Sequence, residues 1–110
     1  DFGKRLYDTN CAVCHGASGK GDGVYVDLLK RPIGDLTTMA RRNGGVFPVA
    51  WTFEVINGTA GTGHGTRDMP IWGDEFRVQA EAAIEAPYSD FFVRGRILAL
   101  VEYLNRLQAR

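Results

Sequence analysis

Near the C-terminus apolar residues return at intervals of three and four. Val93, Ile97, Leu100, Val101, Leu104 and Leu107 form one stripe, and Arg94, Arg96, Glu102 and Arg106 fall mostly beside it. That spacing predicts a long amphipathic helix, with Ser89 after Pro87 as its N-cap. At the other end Phe2 and Leu6 share one i, i+4 line and Gly3 and Tyr7 share the next, so residues 1–10 read as a short helix. Gly3 weakens an isolated helix, and its use is close approach by another helix beside Tyr7. Between the two ends the chain is punctuated. Asp35 caps a helix that stops before Gly44 and Gly45, and Pro48 opens a second that stops at Asn57 and Gly58. Gly16, Gly19, Gly21 and Gly23 exclude a regular helix from their segment. Without a G-K-[S/T] ending they read as a turn-rich wrap, not a phosphate loop. Gly58, Gly61, Gly63 and Gly65 make an irregular approach to Met69, and residues 78–86, alanine-rich and acidic, are read as a short surface helix.

The length of 110 residues sets one domain, 1–110, with a modest core of its own. The formal net charge is zero and the basic residues form no run, which argues against a nucleic-acid partner. No stretch is long and apolar enough to suggest a membrane span. The first residue is Asp1 rather than Met, which is expected of a mature or excised product whose export signal or neighbouring domain has been removed.

The chain has two cysteines, and they fall in one pentapeptide, C-x-x-C-H, at Cys11, Cys14 and His15. Two thiols one helical turn apart can add across the two vinyl groups of one haem, and a histidine directly after the second is delivered to the iron as an axial ligand. Other uses of paired cysteines fit less well. A disulfide leaves the adjacent histidine idle, a redox dithiol wants a βαβ setting, and zinc held by Cys11, Cys14 and His64 lacks a fourth ligand. One motif implies one haem c.

Far downstream, Met69 stands in Arg67-Asp68-Met69-Pro70-Ile71-Trp72-Gly73. A neutral thioether is the usual sixth ligand opposite histidine when haem carries electrons, and Pro70 stiffens the chain just past the sulfur. His15 and Met69 are thus the expected metal ligands. Two side chains compete with Met69. Met39 lies in an expected helix without a following proline, where a core methionine is the default. His64 lies in the glycine run and would make a bis-histidine centre of lower potential.

With these motifs at opposite ends of a short chain, the sequence resembles a class I cytochrome c over its whole length. The resemblance implies an all-α fold of three to five helices around one covalently bound haem, with the first and last helices crossing at Gly3, Tyr7 and Tyr103. It also implies that Pro32 offers its carbonyl to the free ring nitrogen of His15, against the plainer reading of a turn proline. Trp51, Arg67 and Trp72 are candidates for the haem periphery, where an indole N–H or a guanidinium would neutralise propionates. Ordinary packing for the tryptophans and a solvated Arg67 are the alternatives. The implied function is single-electron transfer by a monomeric carrier, not an enzyme, between redox protein partners in a bacterial periplasm. The same module also serves as the haem domain or subunit of a larger periplasmic oxidoreductase. Further off stands a haem peroxidase or gas sensor in which Met69 leaves the iron.

Overall fold

The computed structural model describes residues 1–25, 34–59, 72–83 and 88–109. Pro32, His64, Arg67, Met69 and Pro70 lie outside them, as do Lys30, Arg31 and glycines 61, 63 and 65.

Helix α1 is Phe2–Asn10. Asp1 caps it by accepting a hydrogen bond from the Lys4 N–H, and α2, Ala12–His15, follows after a bend at Cys11. One turn of 3₁₀ helix, Leu36–Thr38, runs into α3, Met39–Arg42. Asp35 caps it as expected, with its carboxylate accepting from the Thr37 N–H at 2.8 Å. Helix α4 is Val49–Asn57 and ends on Gly58, whose φ of 86° is the left-handed conformation that glycine adopts freely. Pro48 sits at the N-cap, one residue before the expected first turn, and its carbonyl accepts from both the Thr52 N–H and hydroxyl. Helix α5 is Trp72–Glu81 and α6 is Tyr88–Arg106.

All the regular structure among the described residues is helical. Four helices have nine or more residues, within the expected three to five, and the four-residue α2 and α3 bring the number to six.

Helix α6 is the axis of the molecule, packing against α1, α4 and α5. Its expected stripe is the core: Val93, Ile97, Leu100, Val101 and Leu104 are buried, with Leu107 partly so. Tyr7 of α1, Ile56 of α4 and Phe76 of α5 close on it, together with Met39, the core methionine that its helical setting suggested. The α1–α6 crossing is as tight as Gly3 implied, for a methyl group there would overlap the Ala99 carbonyl and press on the Tyr103 Cβ at 3.1 Å.

Two expectations are corrected. Ser89 is not an N-cap: α6 already begins at Tyr88, and Ser89, four residues before Val93, extends the buried stripe by one turn at 1% exposure. The helix placed at residues 78–86 starts six residues earlier, at Trp72, and ends at Glu81; Val78, Gln79 and residues 81–83 are exposed as expected, one face is anchored in the core, and residues 84–86 lie outside the described ones. Trp72, Phe76 and Ala80 recur every fourth residue, and the last two are buried. Composition drew the eye to alanine and glutamate, but the aromatic spacing decides where the helix lies.

At the far end of α6, Gln108 ties the C-terminus to the α3 region. Its buried amide accepts from the Ala40 N–H at 2.9 Å and donates to the Leu36 and Leu104 carbonyls at 2.7 and 2.9 Å.

Candidate haem-attachment site

Helix α1 delivers its last turn directly into the attachment motif. The Cys11 N–H donates to the Tyr7 carbonyl at 2.8 Å, continuing the helix, and the backbone then bends at φ −115°. One new turn follows, closed by the His15 N–H on the Cys11 carbonyl at 2.9 Å. Cys11, Cys14 and His15 therefore share a single turn. Both cysteines are partly buried, and Cys11 borders the main core.

A turn this short leaves its last carbonyls without helical partners. The glycine segment supplies them. Gly16 ends α2 at φ 85°, and the chain doubles back so that the N–H groups of Gly19, Gly21, Gly23 and Tyr25 donate to the carbonyls of Gly16, His15, Cys14 and Val13. The four distances run from 2.8 to 3.1 Å. Such backbone-on-backbone contact has no room for a side chain at Gly23, where a Cβ would overlap the Val13 carbonyl oxygen. The glycines that excluded a helix are thus the clasp of the motif. The Leu36 N–H, bonded to the Gly19 carbonyl at 2.6 Å, connects the clasp to the 3₁₀ turn.

The electrostatics of the turn do not activate Cys11 as a nucleophile. Burial, with a further contribution from Cys14, pushes the Cys11 thiol up to about 12, whereas an attacking thiol is activated by being pushed down. Burial also lowers His15, which favours the neutral imidazole, the form that ligates metals. Its Nδ1 is buried and has no hydrogen-bond partner among the described residues. A buried ring nitrogen in that state needs an acceptor, a proton-free lone pair directed at a metal, or one of each on its two nitrogens. The residues present therefore fit a covalently attached haem. Among the described residues no group of three or more His, Cys, Asp or Glu side chains is placed to hold a bare metal ion.

The remaining candidates divide. Trp72 is partly buried, stacked on Phe76 with ring centroids 5.9 Å apart, and packs on the same core that Cys11 borders. Trp51 lies on α4 and is 48% exposed. Pro32, Arg67 and Met69 lie outside the described residues. Motif reading did not single out Tyr7 as a neighbour of the site, although its hydroxyl donates to the Gly16 carbonyl at 2.7 Å. The available signal was an aromatic residue one turn before Cys11. Gly23 was visible only as one glycine among several.

The family model for cytochrome c matches residues 1–71, which hold the whole attachment turn, its glycine clasp and Met69. Searches of curated proteins and of solved structures each gave no match. With the match covering well over half its length, the chain belongs to the cytochrome c family, whose members bind haem c covalently and serve haem-based electron transfer.

Proposed function

We propose that this protein is a mono-haem class I cytochrome c that carries single electrons between partner proteins in a periplasmic redox chain. The observation that carries the reading is the attachment turn itself, with two partly buried cysteines and a buried imidazole on one turn of helix, inside the family match. When bound, haem c supplies reversible one-electron chemistry at its iron. Cys11 and Cys14 hold the group by thioether bonds, and His15 ligates the iron through the neutral imidazole that burial favours. The Pro32 carbonyl would accept a hydrogen bond from the His15 Nδ1–H, answering the need that the unpartnered nitrogen poses. Met69 would be the second protein ligand of the iron, and the Arg67 guanidinium and the Trp51 and Trp72 indole N–H groups would bind the propionates. Two protein ligands to the iron would leave no open position for a substrate, which fits an electron carrier and not an enzyme; the carrier is read as monomeric, one domain over 1–110. No helix among the described residues is long and apolar enough to cross a membrane.

The test is spectroscopic. Acid–acetone extraction should leave haem on the polypeptide, and the ferric protein should show the weak near-infrared band of iron–methionine coordination. Met69→Ala should abolish that band while Met39→Ala and His64→Ala keep it. Loss in Met39→Ala alone would reassign the ligand, and rapid CO binding by the reduced wild-type protein would place the chain among sensors or peroxidases.

A further inference from the structure

Tyr7 is fully buried, and its ring lies against Tyr103 of α6 with centroids 5.3 Å apart. Phenylalanine would fill that packing equally well. What the hydroxyl adds is one bond, to the carbonyl of Gly16 at 2.7 Å, and a buried hydroxyl without it would carry a desolvation cost. Burial also raises the phenol above its ordinary range, so the oxygen keeps its proton and remains a donor.

The acceptor is unusual in its position. Gly16 directly follows His15 and holds φ 85° and ψ 153°, with the Asp22 carboxylate where a Cβ would stand. Its carbonyl takes two donors, the Tyr7 hydroxyl and the Gly19 N–H at 3.1 Å. The glycine clasp can satisfy this carbonyl by itself. Tyr7 brings a rigid reference, since its own helix is locked to α6 where Gly3 meets Ala99 and Tyr103. A single phenol thus joins the close α1–α6 crossing to the residue beside the imidazole.

We propose that Tyr7 is a positioning residue for His15: the hydroxyl bond to Gly16 holds the ligand turn in register with the α1–α6 crossing and so sets the orientation and donor strength of the imidazole toward the haem iron. The proposal rests on the reading of His15 as an axial ligand. Groups that orient a ligating histidine without touching the metal are known to tune the metal they serve.

The experiment uses the haem-loaded protein and compares wild type with Tyr7→Phe, Tyr103→Phe and Gln108→Leu. Proton NMR of the ferric form reads the hyperfine-shifted ring resonances of His15, and a redox titration reads the midpoint potential. Tyr7→Phe should displace both. Tyr103→Phe perturbs the same ring pair, and Gln108→Leu removes a buried amide far along the chain, so both should lower the denaturation midpoint while leaving the two signatures in place. Should Tyr7→Phe load haem poorly, site-specific fluorination of Tyr7, which strengthens the donor at nearly unchanged volume, should move the His15 resonances in the sense opposite to loss of the hydroxyl. The proposal is overturned if Tyr7→Phe changes stability alone, if Tyr103→Phe gives the same displacement, or if fluorination moves nothing. Wild-type protein without hyperfine-shifted His15 resonances would instead overturn the axial-ligand reading beneath it.

Discussion

Gly23 shows how narrowly a single residue can be constrained when its backbone must touch another. Its N–H reaches the Cys14 carbonyl at 3.1 Å, and a methyl group would overlap both the Val13 and Cys14 carbonyl groups. These neighbours are backbone, fixed by the attachment turn, and cannot rotate away. Gly23→Ala is therefore expected to break the bonds that Gly23 and Tyr25 make to the turn, at a cost of about 2 kcal/mol for two hydrogen bonds. Denaturant unfolding of the haem-loaded protein measures it, and an unchanged midpoint would mean that the clasp gives way freely. The same turn buries His15, and that burial lowers its proton affinity and so favours the neutral imidazole.

Among the elements, the α1–α6 pair sets two opposing effects against each other at Gly3. Alanine in a helix is favoured over glycine by about 1 kcal/mol, whereas forcing a methylene into a filled contact costs about 1–3 kcal/mol. The obstacle is the Ala99 carbonyl of α6, so the contact should win and Gly3→Ala should destabilise. Thermal unfolding decides the sign. The 3₁₀ turn before α3 gives a prediction in pH. Hydrogen bonds from the Thr37 hydroxyl and N–H hold the Asp35 carboxyl below its ordinary 3.8. A carboxylate lowered in the folded state binds fewer protons there than when unfolded. Its stabilising effect is present above pH 3.8 and is lost as pH falls through the lower folded value. Asp35→Ala should thus be less stable than wild type at neutral pH, with the difference shrinking in acid below that value. A constant difference across an acid titration of stability would show that the cap acts through packing rather than charge.

At the level of the whole molecule, α6 gathers every long element, and the core cluster continues outward to Cys11 and Ala12 of the attachment turn and to Trp72 of α5. A domain of this size buries a limited apolar area, and on the proposed reading haem extends the core where those residues border it. Binding to the native state alone then couples the group to the fold. Cys11→Ala/Cys14→Ala protein made without haem is expected to lack a cooperative thermal transition by circular dichroism. A sharp transition in that protein would show that α6 and its partners suffice. Gln108 is the natural counterweight, since its hydrogen bonds to Ala40 and Leu36 tie the α3 region to the C-terminus across most of the chain.

The sequence by itself determined the attachment motif and the family resemblance, because thioether chemistry demands its residues at one local spacing that no tertiary contact can alter. It also determined the buried stripe of α6, the role of Gly3 and the stops at Gly44 and Gly58, where helical periodicity and glycine backbone freedom act within a turn or two. Only the tertiary structure decided the rest. Ser89 looks like a cap from its hydroxyl and becomes a core residue because α6 starts one residue earlier. Helix α5 is anchored by Trp72, Phe76 and Ala80, whose burial depends on α6 lying against them. The glycines of the clasp announce irregular backbone but not its partner, for which carbonyl each N–H meets is settled by how the chain returns on itself. Tyr7 likewise has a hydroxyl whose purpose no local pattern specifies, since its acceptor nine residues away is brought to it by the bend at Cys11.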